Sequence, residues 1–484
     1  MWHSHFKELL NSSVDRTGKA HVINTIQNHS DHYTRRFTPN DIAEILPQLK
    51  LRKSSGNDGI AGEHLRYAHD KITFYLSMLF NAMLIHGYMP QDLMDTILIP
   101  IVKDRKGVIT DKNNYRPVAI TSIISKILEL LILKCYKSVF NTTSNQFGFK
   151  EKLGTDMCVF TLKHIIDYYK SLSSPVYVAF LDASKAFDKV NHYHLLNKLI
   201  TRKLPILIVR LLHYWYSHQH FMVQWGSYKS ESFTVNNGVR QGGILSPACF
   251  NVFMDELSVL LNESVFGCSV NNCKANHLFY ADDSILLSPS PRSLQSLLCI
   301  CENYAKTYEL SFNVKKTKVM CFKPKILSKL HVPKFILNGL EVEVVSSHVY
   351  LGVILDDNYC DDRDLLRQSR AIYARGNVLL KKFSICDINV KIKLFKAYCT
   401  SFYCSQLWTC FTGVSYKKLK VAYNNILRLL FKLPRDCRIS AKCMELHVDP
   451  FEVLLRKSVY GFRCRLLASD NLLLNAICNS IIVV

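Results

Sequence analysis

Apolar and polar positions divide the chain into two regimes. Up to about residue 355 the pattern is mixed. Residues 176–181 (VYVAFL) and 277–287 (HLFYADDSILL) are short apolar runs rich in aromatic and β-branched side chains, and they read as strands. Residues 120–136 and 192–215 carry apolar positions at helical spacing and read as helices. Beyond that point helical spacing takes over. Residues 421–433 (VAYNNILRLLFKL) repeat apolar positions at intervals of three and four, with Arg428 and Lys432 on one side and Pro434 to stop the helix. The pattern predicts a mixed α/β body over about 40–355, followed by a basic helical domain. No internal repeat or low-complexity tract interrupts it, and 18 Gly and 14 Pro in 484 residues leave room for few long linkers.

Charge adds a partner class. Lys and Arg number 61 against 39 acids, a formal net charge of +22, and residues 360–484 alone hold 21 Lys/Arg against 9 Asp/Glu. Such an excess favours a polyanion, either nucleic acid or an anionic membrane surface. A membrane span is not expected, because no run of ~18 apolar residues occurs. The most apolar stretch, 120–135, is broken by Lys126, Glu129 and Lys134. The start, MWHSHFKELL, lacks the apolar segment of a secretory signal. The 17 cysteines are therefore expected to be reduced thiols of an intracellular protein.

Two acidic segments carry the candidate chemistry. In 180–188 (FLDASKAFD) an apolar strand runs into Asp182 and then into a turn. A carboxylate at the end of a buried strand is held rigidly and points out of the sheet, although Asp is also an ordinary N-cap for a following helix. In 279–285 (FYADDSI) two apolar arms flank Asp282 and Asp283, the pattern of a tight hairpin with acids at its tip. Adjacent like charges repel unless a cation or solvent screens them. Brought together at strand ends, the three carboxylates would suit a pair of Mg²⁺ ions, which prefer a few carboxylates completed by water and substrate phosphates. Two such ions ~3.5–4 Å apart stabilise both the attacking and the leaving oxygens of phosphoryl transfer.

In order and interval, FLDASKAFD, NNGVRQGGILSP (236–247) and FYADD (279–283) resemble motifs A, B and C of a reverse transcriptase, and GVRQGGILSP resembles the non-LTR (LINE-type) retrotransposon branch. The likeness extends along the chain. KSSGNDGIAGEHLRYA (53–68) is similar to the segment preceding the fingers, and IPIVKD (99–104) with NYRPVAITSIISKILE (114–129) to fingers motif 1. NQFGFKEKLGT (145–155) resembles motif 2, NVKKTKVM (313–320) motif D and YLGVILD (350–356) motif E. LRLLFKLPRDCRIS (427–440) is similar to the helical thumb and connection region. The resemblance implies an α/β (α+β) right-hand polymerase. Its parts would be an N-terminal spacer (1–40), fingers and palm with an antiparallel palm sheet (41–355), and an all-helical basic thumb/connection region (356–484).

The resemblance also implies roles. Asp182 and Asp282 would ligate two Mg²⁺ ions (Mn²⁺ as a substitute), with Asp283 beside them and less direct. Phe187 would be the aromatic gate under the nucleotide sugar; an aromatic there is equally at home in a core. Gln241 and Gly242 would allow close approach of a nucleotide, a use of glycine compatible with a plain turn before a helix started by Ser246-Pro247. Lys103 and Arg116 would hold the triphosphate, Arg as a bidentate fork and Lys as a point charge. Lys316 would protonate the leaving pyrophosphate, with Lys315 and Lys318 as close neighbours. Residues 311–334 hold seven lysines and no acid, which suits either a solvated face or template–primer phosphates.

The expected activity is RNA-directed DNA polymerisation in retrotransposition, with RNA template, DNA primer or target, and dNTPs as partners and a nuclear or ribonucleoprotein location. The alternatives are a catalytically inactive RNA-binding remnant, and an RNA-templated RNA polymerase or intron maturase. The aromatic at 187 and the wording of GVRQGGILSP count against the last pair. About 40 residues precede the fingers, too few for a nuclease domain, so the chain is expected to be the polymerase portion of a longer element. Ser30-Asp31-His32 matches a short endonuclease signature and is taken as coincidence. Cys437, Cys443 and His447 lack a clear fourth ligand, so zinc is not expected.

Overall fold

The run VYVAFLD forms the strand Val176–Asp182, buried along its length except at Asp182. Burial on both faces is why it reads as continuous rather than alternating apolar sequence. The computed structural model describes residues 1–12, 18–28, 35–183, 185–327 and 330–482, so Ser30-Asp31-His32 lies outside the described residues. They fall into two compact units. One comprises Met1–Phe149, Ala183–Glu263 and Ile300–Asn313; the other comprises Lys150–Asp182, Ser264–Cys299 and Val314–Val484.

In the second unit Val176–Asp182 lies inside a six-stranded sheet. The order is Phe335–Leu337, Leu340–Val344, Lys318–Phe322, Val176–Asp182, Asp283–Ser288 and His277–Tyr280. Every neighbouring pair is antiparallel except Lys318–Phe322 with Leu340–Val344. Helix Thr155–Ser171 packs on this sheet and buries Met157, Leu162, Ile165 and Ile166 completely. Two small two-stranded sheets, Ser269–Val270 with Cys273–Lys274 and Ser347–Tyr350 with Val353–Asp356, complete its strands. Beyond residue 356 the unit is helical: Asp362–Phe383, Ile388–Cys399, Gly413–Leu430, Ile439–Glu445, Phe451–Leu467 and Leu472–Ile482. Leu365, Ile372, Phe395, Tyr423, Ile426 and Phe451 are among its core residues. The backbones of the first and third helices approach closely at Gly376, where a Cβ would stand 2.5 Å from Ile426 Cδ1. A buried ion pair, Lys163 Nζ to Asp361 Oδ1 at 2.7 Å, ties the sheet-covering helix to the start of this bundle. The predicted helix at 421–433 is the end of Gly413–Leu430, which begins earlier because Thr412 caps it by accepting from Ser415 N–H.

The first unit holds a five-stranded sheet, ordered Tyr115–Thr121, Thr96–Val102, His220–Trp225 and Tyr228–Lys229, with Phe233–Thr234 also on His220–Trp225. The helix expected over 120–136 spans Ile123–Cys135, because Ser122 caps it and residues 120–121 complete a strand. The single helix expected over 192–215 is two, His192–Thr201 and Ile206–His218. Pro205 lies at the break, where it can neither donate to the preceding turn nor clear it. Helix Trp2–Leu9 packs into the core, where Phe6 and Leu10 meet Leu98, Phe221 and Val235. Leu10 O then accepts from both Asn236 and Asn237 N–H at 3.3 Å. No described helix is long and apolar enough to cross a membrane.

Candidate active site

In the second unit the hairpin expected from FYADD forms. Asp283 pairs with Tyr280, so Ala281 and Asp282 alone make the turn. Ala281 carries the positive φ (59°) that a two-residue hairpin requires at its first turn position, a place usually given to glycine. On its other side Asp283 is directly opposite Asp182. Directly opposed residues of an antiparallel pair share a face, with Cβ atoms ~4.5–5.5 Å apart. Asp182 N–H reaches Thr317 Oγ1 at 3.5 Å, and Lys316 Nζ lies 3.8 Å from Asp182 Oδ2. Asp282 and Asp283 are exposed, and the Asp182 side chain is 39% exposed. Asp182, Asp283 and Lys316 thus meet at one end of the sheet, with Asp282 at the hairpin tip. Below them the strand is walled by rings: Phe180 lies 4.5 Å from His348 and 5.6 Å from Tyr350, centroid to centroid. Burial pushes the Cys158 thiol, beside Tyr350, up to about 12.

Among the described residues no three His, Cys, Asp or Glu side chains form a ready-made metal cage. Magnesium does not require one. It keeps several waters and is held by one or two carboxylates plus substrate phosphates. Two opposed, solvent-reached carboxylates with a third next in sequence fit that donor set.

The first unit gathers the other candidates. Phe187 stacks on Phe250, 4.4 Å between centroids at 16°. Gly242 has φ 123°, and a Cβ there would stand 2.6 Å from Ala119 O, so only glycine fits. The preceding Gln241 O accepts from Ala119 N–H at 2.7 Å, and its Nε2 donates to Asp188 Oδ1 at 2.6 Å. Asp188 is 4% exposed; burial pushes its carboxyl up to about 6, against the Gln241 hydrogen bond and the charges of Lys103, Lys185 and Arg116. Lys103 and Arg116 belong to one strand pair. Arg116 is opposite Ile101, and Lys103 N–H donates to Asn114 O at 2.8 Å. The Lys103 ammonium also reaches Asn113 O at 3.2 Å. Behind the loop, Arg240 is buried between Glu129, at 2.6 Å, and the face of Trp215, at 4.0 Å. Glu129 also accepts from Ile244 N–H at 2.6 Å, just before helix Leu245–Glu263 with Ser246-Pro247 in its first turn.

Sequence reading passed over Asp188, Glu129 and Ala281. A glutamate inside an otherwise apolar helix was the available signal for Glu129. For Asp188 the local sequence offered no signal, because its partners Asn237 and Gln241 come from a distant segment.

The family described as "Reverse transcriptase (RNA-dependent DNA polymerase)" matches residues 102–355, and the chain belongs to it. Within that family its similarity runs to proteins of non-LTR mobile elements. It is 27% identical over 446 residues to "Probable RNA-directed DNA polymerase from transposon BS" of Drosophila melanogaster, covering 88% of this chain and 48% of that protein. It is 26% identical over 415 residues to "RNA-directed DNA polymerase from mobile element jockey" of Drosophila funebris, covering 82% and 44%. A third similarity, 28% over 278 residues, is to "Retrovirus-related Pol polyprotein from type-2 retrotransposable element R2DM" of Drosophila melanogaster, covering 56% and 25%. The chain spans about half the length of the first two of these curated relatives.

Proposed function

We propose that the chain is the polymerase portion of a non-LTR retrotransposon protein, an RNA-directed DNA polymerase that extends a primer 3′-hydroxyl with dNTPs. The observation that carries this reading is the register placing Asp283 opposite Asp182, with Asp282 at the adjoining hairpin tip and Lys316 beside Asp182. In this reading the six-stranded sheet is the palm, the first unit supplies fingers, and the basic helices after residue 356 are the thumb and connection region. Two Mg²⁺ ions held by Asp182, Asp282 and Asp283 would activate the primer 3′-hydroxyl and neutralise charge on the departing pyrophosphate. Lys316, an exposed ammonium 3.8 Å from Asp182, would deliver a proton to the pyrophosphate. Phe187, fixed by its stack on Phe250, would form the floor under the sugar and turn away a ribose 2′-hydroxyl. Gly242, whose missing side chain leaves room for the Ala119 carbonyl, would let the Gln241 loop lie beside the nucleotide, and Lys103 and Arg116 would hold the triphosphate. RNA template, DNA primer or target, and a nuclear or ribonucleoprotein setting complete the proposal.

The test is incorporation of labelled dTTP on poly(rA)/oligo(dT) with Mg²⁺. Wild type should extend the primer, while Asp182→Asn and Asp282→Asn should not. Extension by both variants would overturn the metal assignment. Salt-sensitive RNA binding with no incorporation by wild type would instead mark an inactive RNA-binding remnant.

A further inference from the structure

We infer that Asp188 is a positioning residue for nucleotide selection: its buried carboxylate fixes which end of the Gln241 amide faces outward, and its backbone locks the 237–239 segment to Phe187. This rests on the polymerase reading of the chain.

The contacts converge on one short turn. Gln241 Nε2 donates to Asp188 Oδ1 at 2.6 Å, and Asn237 Nδ2 donates to Asp188 O at 2.7 Å. Val239 N–H donates to Phe187 O and Gly238 N–H to Val190 O, both at 2.8 Å. Gly238 lies against the same backbone, since a Cβ there would stand 2.8 Å from Asp188 O. Phe187 and Gln241 are 54 positions apart in sequence, yet they are held as one piece through the residue between them in space.

The chemistry of the acceptor gives the latch a direction. An ionised carboxylate has no proton to donate, so it takes the NH₂ end of the Gln241 amide and turns the carbonyl the other way. The bond is charge-assisted and stronger than one between neutral groups. Asparagine at 188 would have the same shape but could satisfy either end of the glutamine. A buried acid is costly to ionise, and with its carboxyl near 6 Asp188 is nonetheless charged at the mildly alkaline pH of a polymerase assay. Gln241 is thereby presented as a fixed acceptor, suited to a hydroxyl or amine donor on an incoming nucleotide.

Steady-state incorporation of dTTP at about pH 8 tests this with Asp188→Asn, Asp188→Ala, Gln241→Ala and the Asp188→Ala/Gln241→Ala pair. If Asp188 acts through Gln241, each single alanine raises KM for dTTP about tenfold with kcat changed less than about twofold. The double variant is then no worse than Gln241→Ala. Asp188→Asn, which keeps the shape, falls between wild type and alanine. Multiplicative effects in the double variant, or an Asp188→Asn enzyme with wild-type KM, would overturn the proposal.

A second readout is independent of turnover. In protein labelled with ¹⁵N-glutamine, the Gln241 side-chain NH₂ should be shifted and slow to exchange in wild type, less so in Asp188→Asn, and ordinary in Asp188→Ala. An ordinary signal in wild type would also overturn the latch. Absence of incorporation by wild type with a protected Gln241 signal would sink the polymerase reading and the nucleotide role, and leave only the Asp188–Gln241 contact.

Discussion

The strand leading into the acidic hairpin starts at His277, which is fully buried and accepts no charge there. Burial lowers its imidazole from 6.5 to about 3. One ring nitrogen is hydrogen-bonded to Asn276 Oδ1 at 2.8 Å, and the ring lies 4.7 Å from Phe279. Between these two pKa values the unfolded chain binds a proton that the folded chain refuses, so stability falls as pH drops below 6.5. Going from about pH 7.5 to about pH 5, an unfolded-state pKa near 6.5 makes that loss about 2 kcal/mol. His277→Phe removes the proton-binding site and keeps a ring of similar bulk. It loses the bond to Asn276, which lowers stability by about 1 kcal/mol at both pH values. Urea unfolding of wild type and variant at the two pH values gives four free energies. The advantage of wild type over His277→Phe should shrink by about 2 kcal/mol, and reverse, on acidification. A difference independent of pH would refute the reasoning, since it would mean that folded His277 takes up its proton as readily as the unfolded chain.

Three further outcomes follow from contacts within the same unit. Lys163→Met leaves the Asp361 carboxylate buried with Thr409 and Cys410 N–H as its remaining donors among the described residues, and should lower stability by about 3 kcal/mol in denaturant titration. Gly376→Ala should destabilise by about 1–3 kcal/mol despite the better helix propensity of alanine, because Ile426 occupies the space, and Ile426→Ala should recover part of the loss. Ala281→Gly should raise the melting temperature slightly, by about 0.5–1 kcal/mol in stability, because glycine accepts the positive φ of the hairpin tip.

The acidic strand end and the acidic hairpin were legible in sequence because each is a local pattern: an apolar run ending in Asp182, and two apolar arms around Asp282-Asp283. Their alignment, with Asp283 rather than Asp282 opposite Asp182, depends on strand register, which a hairpin motif alone does not specify. The sheet of the first unit was harder to see. Its two long strands carry Pro100 and Pro117, residues that argue against strands; they are tolerated because they face each other as a non-hydrogen-bonded pair, where the backbone nitrogens point away from the partner strand. The latch at Asp188 was hidden for a different reason. An acid becomes a buried acceptor only when a loop some 50 residues away closes over it, and nothing in the local spacing announces that closure. The packing of Trp2–Leu9 has the same character, since Phe6 finds its partners more than 90 residues downstream.

Strand Val176–Asp182 has a history as well as a place. During synthesis it leaves the ribosome with neither neighbour available, because Asp283–Ser288 and Lys318–Phe322 are encoded about 100 or more residues later. At ~5–20 residues per second the nascent chain carries this bare apolar segment for roughly 5–20 s before either edge can be paired. A run such as VYVAFL, uncharged and without proline, is the kind of segment that pairs with copies of itself when left open. Co-translational chaperone occupancy should therefore concentrate on ribosomes from which Val176–Asp182 has emerged and Asp283–Ser288 has not, and the yield of soluble protein should depend on elongation speed through that interval.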